Sequence, residues 1–319
     1  MKYKVLFLKN LADTGKNYLK EHDCKVVISK AKTKKELLDE VKDMDAFFVR
    51  NEPITGEIMD AAPKLKVIAK HGIGYDNIDI AAATERGIQV VYAPRGNVNS
   101  VAEQTIMNIL CCARRYGIVH NELVRGNYNI RFELNDGYEV SGKTIGLIGC
   151  GHIARSVAKK AINGFDMKVI AFDPFLKPGL TEEGIEVIAN RKKVFEQADF
   201  ISIHMPSTSE TKHSVGMQEF EWMKPTAFLI NTSRGNIVNE ADLIQALKKK
   251  EILGAGLDVY ENEPIEKENE LLHMDNVICT PHTAGLTIEA SDRLSLTGAQ
   301  GIVEVFEGKK LTWPVNRIS

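Results

Sequence analysis

The sequence predicts an α/β protein with two doubly wound parallel sheets. Its length, 319 residues, is too great for one ordinary hydrophobic core and fits two domains. Short apolar runs rich in Val and Ile alternate with helical patterns, and this alternation restarts at Gly142. The runs are continuously apolar, which is typical of strands buried on both faces of a parallel sheet.

Composition narrows the class of protein. Hydrophobic residues make up 44% of the chain and charged residues 26%, as in a soluble globular protein. The net charge of −2 argues against a nucleic-acid coat or a membrane-surface polycation, so we expect neither nucleic acid nor membrane as a partner. No run approaches the roughly 20 apolar residues of a membrane span. The N-terminus predicts a first strand and not a signal peptide.

The cysteines predict a reducing, cytoplasmic compartment. They are scattered, odd in number and include no Cys-x-x-Cys pair, which favours buried free thiols over disulfides or metal ligands. The five are Cys24, Cys111, Cys112, Cys150 and Cys279. No His/Cys cluster predicts a metal site.

The first domain is predicted to contain five strands. They are Tyr3–Leu8, Val26–Ser29, Ala46–Val49, Lys66–Ala69 and Gln89–Tyr92. A helix is predicted over Thr33–Val41, because Thr33 can cap its start and Glu36 completes a capping box. A long helix, Ser100–Val124, then leads out of this domain, and a polar loop over Asn127–Val140 follows it.

Six strands are predicted for the second domain. They are Thr144–Ile148, Lys168–Phe172, Phe200–His204, Ala227–Asn231, Gly254–Leu257 and Val277–Thr280. Helices are predicted over Ile153–Ala161 and Glu240–Lys250. The last helix, Ser291–Glu307, comes too late for this sheet and is expected to pack back on the first domain. We therefore predict one domain from residues 1–98 with 289–319, and another from residues 99–288.

A dinucleotide fingerprint opens the second domain. Gly149-Cys-Gly151-His-Ile-Ala154 follows an apolar strand and begins a helix. Gly149 permits a tight turn, Gly151 allows the backbone to approach a pyrophosphate, and Ala154 lets helix and strand pack closely. Asp173 ends the next strand, where a carboxylate accepts hydrogen bonds from ribose hydroxyls and repels a 2′-phosphate. The predicted cofactor is therefore NAD rather than NADP.

An arginine, a glutamate and a histidine each follow a predicted strand of the second domain. Arg234, Glu263 and His282 should converge, because the carboxyl ends of parallel strands face one ligand crevice. Arg can hold a carboxylate with its planar fork, and His can give a proton to a developing alkoxide. A carboxylate would orient the imidazole and favour its protonated form. His204 also ends a strand but has no such neighbours, so we expect a structural role for it.

At these residues the chain resembles the D-isomer-specific 2-hydroxyacid dehydrogenases. The resemblance extends over nearly the whole chain and includes KHGIGYDNID, GNVNSVAEQTI and GKTIGLIGCGHIA, with the Arg234, Glu263 and His282 motifs. It implies a flavodoxin-like substrate domain and a Rossmann NAD-binding domain on either side of a cleft. It also implies a homodimer, with contacts carried by residues 100–125.

The resemblance also implies roles for individual residues. Arg234, Glu263 and His282 would be the catalytic set. Backbone N–H groups around Gly72, Ile73 and Gly74 would hold the substrate carboxylate, while Arg50 and Lys70 would lie toward the far end of the substrate. The residues expected at the cofactor are Thr105, Gly149, Gly151, His152, Ile153, Asp173, Met205, Pro206, Thr232, Ser233, Asp258 and Gly285. Of these, Asp258 would hold the nicotinamide carboxamide.

Within the family the chain is most similar to the phosphoglycerate dehydrogenase and hydroxypyruvate (glyoxylate) reductase branch. A 3-phosphoglycerate-like substrate is expected first, with a hydroxypyruvate, glyoxylate or general 2-oxo acid reductase as the alternative. A non-catalytic NAD(H)-sensing protein is the alternative from another class. A formate dehydrogenase would need Asn and Gln in place of the Glu263 arrangement. Because the chain ends at Ser319, we expect no C-terminal regulatory domain and no serine feedback through one.

Overall fold

The computed structural model describes residues 1–318, and the chain divides into two compact units. Unit 1 comprises residues 1–98 and the segment that begins at Gly285, and unit 2 is Asn99–Ala284. The second crossing therefore lies at Gly285 and not at residue 289 as predicted.

Local contacts explain the position of this crossing. The N–H of Ala284 still donates to the Asp258 carboxylate of unit 2 at 2.8 Å. The next residue, Gly285, packs closely against Asn97 of unit 1. A Cβ added to Gly285 would stand 2.8 Å from Nδ2 of Asn97. The chain thus leaves unit 2 immediately after its last side-chain anchor.

Unit 1 is built on a five-stranded parallel sheet with the order β2-β1-β3-β4-β5. Its strands are β1 (Tyr3–Phe7), β2 (Cys24–Ile28), β3 (Ala46–Val49), β4 (Val67–Lys70) and β5 (Gln89–Val91). Its helices are α1 (Asp13–Glu21), α2 (Lys34–Glu40), α3 (Gly56–Asp60), α4 (Ile80–Glu85) and α12 (Ile288–Phe306). This is the flavodoxin-like order, which confirms the predicted fold class for this unit.

Two predicted helices of unit 1 are present with small shifts. The Thr33–Glu36 capping box is formed: the Thr33 hydroxyl accepts from the Glu36 N–H, and the Glu36 carboxylate from the Thr33 N–H, both at 3.2 Å. The final helix, α12, packs on the sheet of unit 1 through Ala299, Ile302 and Val303. Gly298 allows this close approach, since a Cβ there would stand 2.4 Å from the Phe48 ring.

Unit 2 contains an eight-stranded sheet with the order β13-β12-β11-β10-β6-β7-β9-β8. Its strands are β6 (Thr144–Ile148), β7 (Lys168–Phe172), β8 (Gly179–Leu180), β9 (Glu186–Val187), β10 (Phe200–Ile203), β11 (Phe228–Asn231), β12 (Gly254–Leu257) and β13 (Val277–Cys279). All neighbours are parallel except β8, which pairs antiparallel with β9 at the edge. Counted from β6, the six strands from β9 to β12 have the Rossmann order, and β8 and β13 extend the sheet at its two edges.

The predicted and the observed helices of unit 2 differ mainly in the region where the unit begins. They are α5 (Val98–Ala113), α6 (Tyr116–Val124), α7 (Ile130–Glu133), α8 (His152–Phe165), α9 (Arg191–Gln197), α10 (Met217–Trp222) and α11 (Glu240–Lys249). The predicted single helix Ser100–Val124 is wrong, because Arg115 takes a left-handed conformation with φ 52° and separates α5 from α6. The predicted loop over residues 127–140 contains the short helix α7.

Packing explains the break. One face of α5 is buried against the sheet through Ala102, Ile106 and Ile109. By contrast, every one of the nine described residues of α6 is exposed or half-buried.

Among residues 1–318, no helix combines the length and the apolar character that crossing a membrane requires.

Candidate active site

The sheet order of unit 2 brings the three predicted catalytic residues to one edge. Arg234 follows β11, Glu263 follows β12 and His282 follows β13, and these three strands are neighbours. Their last residues are in register: Asn231 pairs with Leu257, and Leu257 with Cys279. The three following loops therefore leave the sheet side by side, as the sequence predicted.

His282 and Glu263 are in direct contact. The Nδ1 of His282 lies 2.7 Å from Oε2 of Glu263, and Oε1 of the same carboxylate accepts the Tyr260 N–H at 3.1 Å. Because a carboxylate accepts hydrogen bonds, this contact assigns the proton to Nδ1 and leaves Nε2 to exchange a proton with a ligand. Partial burial raises the pKa of Glu263, but the hydrogen bond and charge of His282, with the Tyr260 N–H and Arg234, outweigh burial and hold that pKa below its usual range.

The loop that carries His282 is held by Asp258. The fully buried Asp258 carboxylate accepts the Thr280 hydroxyl at 2.6 Å, the Thr283 N–H at 2.9 Å and the Ala284 N–H at 2.8 Å. The N–H of His282 donates to the Asp258 carbonyl at 2.8 Å, and His282 has a left-handed φ of 53°. A non-glycine residue keeps such a conformation only where its surroundings impose it.

This environment differs from the one expected for Asp258. We predicted a ligand of the nicotinamide carboxamide, but both carboxylate oxygens already accept hydrogen bonds from the His282 loop. Asp258 therefore supports this loop, and its contact with the nicotinamide carboxamide stays a prediction. The residues around the end of β12 do not indicate this role, because the groups that donate hydrogen bonds to Asp258 belong to residues 280–284.

The Arg234 loop is organised by Asn231, a residue that the sequence analysis did not select. Its Oδ1 accepts the N–H and the hydroxyl of Ser233 at 3.0 and 2.9 Å, and its Nδ2 donates to the Arg234 carbonyl at 2.9 Å. An Asn at a strand end, before Thr-Ser, is a turn-forming signal that could have identified it. Gly235 passes against the Tyr260 backbone, where a Cβ would stand 1.9 Å from the carbonyl.

The fingerprint region has the geometry that a dinucleotide needs. Gly149 has φ 92°, and a Cβ on it would stand 2.8 Å from the His204 carbonyl oxygen. At Gly151, no atom of the described chain outside its two neighbours in sequence lies within 4 Å of where a Cβ would stand, so there is room for a phosphate beside its backbone. His152 and Ile153 are the first residues of α8, where N–H groups have no partner within the helix.

Asp173 lies at the end of β7, as predicted, with its carboxylate anchored. Oδ2 accepts the Cys150 N–H and Oδ1 accepts the Phe175 N–H, both at 2.9 Å. Each oxygen keeps a second acceptor position for ribose hydroxyls. These residues therefore fit NAD.

The other residues predicted at the cofactor lie on four segments. Thr105 of α5 is fully buried, and its hydroxyl lies 2.9 Å from that of Thr232, which precedes Ser233. Met205 and Pro206 follow β10. Gly285 belongs to unit 1 and lies beside Asn97.

The surroundings of His204 fit the structural role that we expected. Desolvation lowers its pKa to about 4, and its Nε2 lies 2.8 Å from the Ser202 hydroxyl. Among residues 1–318, no three His, Cys, Asp or Glu side chains come together in a way that could hold a metal ion.

Unit 1 contains the residues predicted at the substrate. Lys70 is only 5% exposed, and its ammonium donates to the Arg50 carbonyl and to Asn77 Oδ1, the latter at 2.8 Å. Lys70 thus supports the Arg50 loop, and its predicted place toward the far end of the substrate stays a prediction. Gly72, Ile73 and Gly74 follow β4, and Gly72 has φ 145°.

Comparisons with known proteins identify the family of this chain. Residues 106–284 match the model of the D-isomer specific 2-hydroxyacid dehydrogenase NAD-binding domain. A D-3-phosphoglycerate dehydrogenase of Methanocaldococcus jannaschii is 40% identical over 89% of this chain, and the chain spans only 54% of that protein. A glyoxylate reductase of Korarchaeum cryptofilum is 35% identical over 97% of this chain and 94% of its own length.

A solved structure supports the same assignment. The crystal structure of a glyoxylate reductase from Paecilomyes thermophila superposes with a TM-score of 0.88, at 26% identity, and the match covers 99% of each chain. The predicted cofactor, NAD, is confirmed by the matched domain, and the predicted class of enzyme by the relatives. The chain therefore belongs to the D-isomer-specific 2-hydroxyacid dehydrogenase family of NAD-dependent oxidoreductases, which act on CH–OH groups.

Proposed function

We propose that this protein reduces a small 2-oxo acid, or oxidises the corresponding 2-hydroxy acid, with Arg234, Glu263 and His282 as its catalytic residues. The observation that carries this proposal is the 2.7 Å contact between His282 Nδ1 and Glu263 Oε2. It fixes an imidazole at the edge of the sheet with Nε2 available for proton transfer. An arginine on the neighbouring loop supplies the cation that a 2-oxo acid requires.

The three side chains have different roles in this reaction. When bound, NADH supplies the hydride that reaches the carbonyl carbon. Protonated His282 gives the Nε2 proton to the carbonyl oxygen as negative charge develops there, and Glu263 stabilises the imidazolium through Nδ1. Arg234 binds the substrate carboxylate and orients the carbonyl. In the oxidation, neutral His282 takes the hydroxyl proton.

We propose a 3-phosphoglycerate-type substrate first, with Arg50 as the residue that binds the phosphate. Within the part of the chain that the structure describes, the half-buried Arg50 guanidinium makes no hydrogen bond or ion pair. Its backbone is held on both sides, because its N–H donates to Glu52 Oε2 at 2.9 Å and its carbonyl accepts from Lys70. A positioned guanidinium without a partner suits a phosphate.

A hydroxypyruvate or glyoxylate reductase is the second candidate. The burial of Lys70 favours it, because only one of the two predicted cations then remains for a phosphate. The full-length match to a glyoxylate reductase supports it as well.

We also propose that the protein is a cytoplasmic homodimer. The α6–α7 region exposes large apolar side chains, which a second copy of the chain could cover. They are Tyr116, Val119, Leu123, Val124, Tyr128 and Phe132. The five cysteines, all within the described residues, are free thiols, which fits a reducing compartment.

The decisive experiment follows NADH absorbance with a panel of 2-oxo acids: pyruvate, glyoxylate, hydroxypyruvate, phosphohydroxypyruvate and a branched-chain acid. We expect turnover, and a preference for phosphohydroxypyruvate that Arg50→Gln abolishes. A preference for an uncharged tail would establish the second candidate. NADH binding without turnover of any acid would refute the enzyme and support a sensor.

A further inference from the structure

The Arg234 and Glu263 loops are joined by a group of residues outside the catalytic set. We call this group, Glu261, His213 and Glu240, the loop latch. We propose that Glu261 is a positioning residue that holds Arg234 in place relative to the Glu263–His282 pair. This inference rests on the proposed function and adds a residue to the same site.

Glu261 makes contacts that join the Glu263 loop, to which it belongs, to residues beside the Arg234 loop. Its Oε1 lies 2.6 Å from Nε2 of His213, and its Oε2 accepts the Glu240 N–H at 3.4 Å. In return, Oε2 of Glu240 accepts the Glu261 N–H at 3.1 Å. The two glutamates thus bind each other's backbone, and Asn269 donates to the remaining Glu240 oxygen at 2.6 Å.

The partners of Glu261 belong to the Arg234 side. Glu240 is the first residue of α11, which follows the Arg234 loop directly. The N–H of His213 donates to the Asn236 carbonyl at 2.9 Å, and the next backbone bond, from Val215 to Ile237, is 3.1 Å long. His213 has a left-handed φ of 50°, which is uncommon for a non-glycine residue.

Glu261 itself belongs to the Glu263 side. It is two residues before Glu263 and one after Tyr260, whose N–H donates to the Glu263 carboxylate. At Tyr260 the two loops are in backbone contact, because Gly235 leaves no space for a Cβ. A shift of one loop is therefore transmitted directly to the other, and the loop latch sets their relative position.

The latch can be tested by separating substrate binding from cofactor binding. Glu261→Ala should raise KM for the preferred 2-oxo acid and lower kcat, together about tenfold to a hundredfold in kcat/KM, since small misplacements of a binding residue have effects of this size. The Kd for NADH should change less than about twofold. Glu261→Gln keeps an acceptor of the same length and should restore most of the activity. Glu268→Ala, an exposed neighbour in the same loop, is the matched control.

A double-mutant cycle tests the contact itself. His213→Ala and Glu261→Ala should be non-additive, because each removes the same interaction. Kinetic constants of Glu261→Ala equal to those of wild type, or fully additive effects, would overturn the proposal. If Glu261→Ala does not fold, His213→Ala is compared with wild type, since it removes the same contact, and unchanged kinetic constants would overturn the proposal.

A readout without turnover separates this inference from the proposed function. Amide hydrogen exchange of residues 232–240 should accelerate in Glu261→Ala and not in Glu268→Ala, whether or not a 2-oxo acid is reduced. Unchanged exchange in that segment would refute the latch. Absence of turnover in wild type would refute only the proposed function.

Discussion

Replacing Asp258 tests whether the His282 loop is supported as the structure indicates. In Asp258→Ala, the Thr280 hydroxyl and the N–H groups of Thr283 and Ala284 lose their acceptor. Hydrogen bonds to a charged group contribute about 1.5–3 kcal/mol each. Three would amount to roughly 5–9 kcal/mol, but the variant no longer buries a charge, which offsets several kcal/mol. We expect a net loss of about 3 kcal/mol in the free energy of unfolding.

The assay must report on unit 2 alone, because a chain of two units need not unfold in a single transition. The chain has two tryptophans, Trp222 in unit 2 and Trp313 in unit 1. In a Trp313→Phe background, Trp222 fluorescence during urea denaturation follows the unfolding of unit 2. Asp275→Ala, an exposed carboxylate before β13, should change the free energy of unfolding by less than about 0.5 kcal/mol.

The two roles considered for Asp258 predict opposite results. A ligand of the nicotinamide would leave stability unchanged and weaken NADH binding. A support for the His282 loop would lower stability and kcat together, because the imidazole loses its fixed position. A free energy of unfolding within about 0.5 kcal/mol of the parent value would refute our reasoning.

Three further predictions follow from the same contacts. His282→Ala should lower kcat by about 10²–10⁴-fold while NADH binding stays nearly unchanged; near-normal kcat in steady-state assays would exclude the acid/base role. Asp173→Asn removes the charge and keeps only one of the two hydrogen bonds donated by the Cys150 and Phe175 N–H groups, because an amide nitrogen cannot accept; fluorescence titration should therefore show weaker NADH binding and a smaller preference over NADPH, and an unchanged preference would place the discrimination elsewhere. Desolvation lowers the pKa of His71 and of His204 to about 4 from an ordinary 6.5, so the unfolded chain takes up protons first as the pH falls. Stability should therefore be complete above pH 6.5 and decline toward pH 4, by up to about 1.4 kcal/mol per pH unit for each histidine, and His71→Gln should flatten that slope in urea titrations; an unaltered slope would contradict it.

Local patterns located most of the elements, because buried parallel strands and capped helices have clear signatures. The strands that carry the site were found within one residue, and the Thr33–Glu36 capping box formed as predicted. The break at Arg115 was missed, since nothing in the residue pattern of 100–124 indicates it. It depends on which part of that apolar stretch finds a sheet to pack against.

The sequence by itself determined the chemistry of this protein. The glycine fingerprint and Asp173 already indicate NAD, and three strand-end residues already predict proton transfer, because backbone freedom and functional groups are local properties. The tertiary structure decided which polar groups are available to a ligand and which hold other residues in place. The carboxylate of Asp258 and the ammonium of Lys70 are charges of the kinds that bind ligands, yet both are used internally. The role of such a group depends on donors and acceptors that come from distant parts of the chain, and only the fold brings these to it.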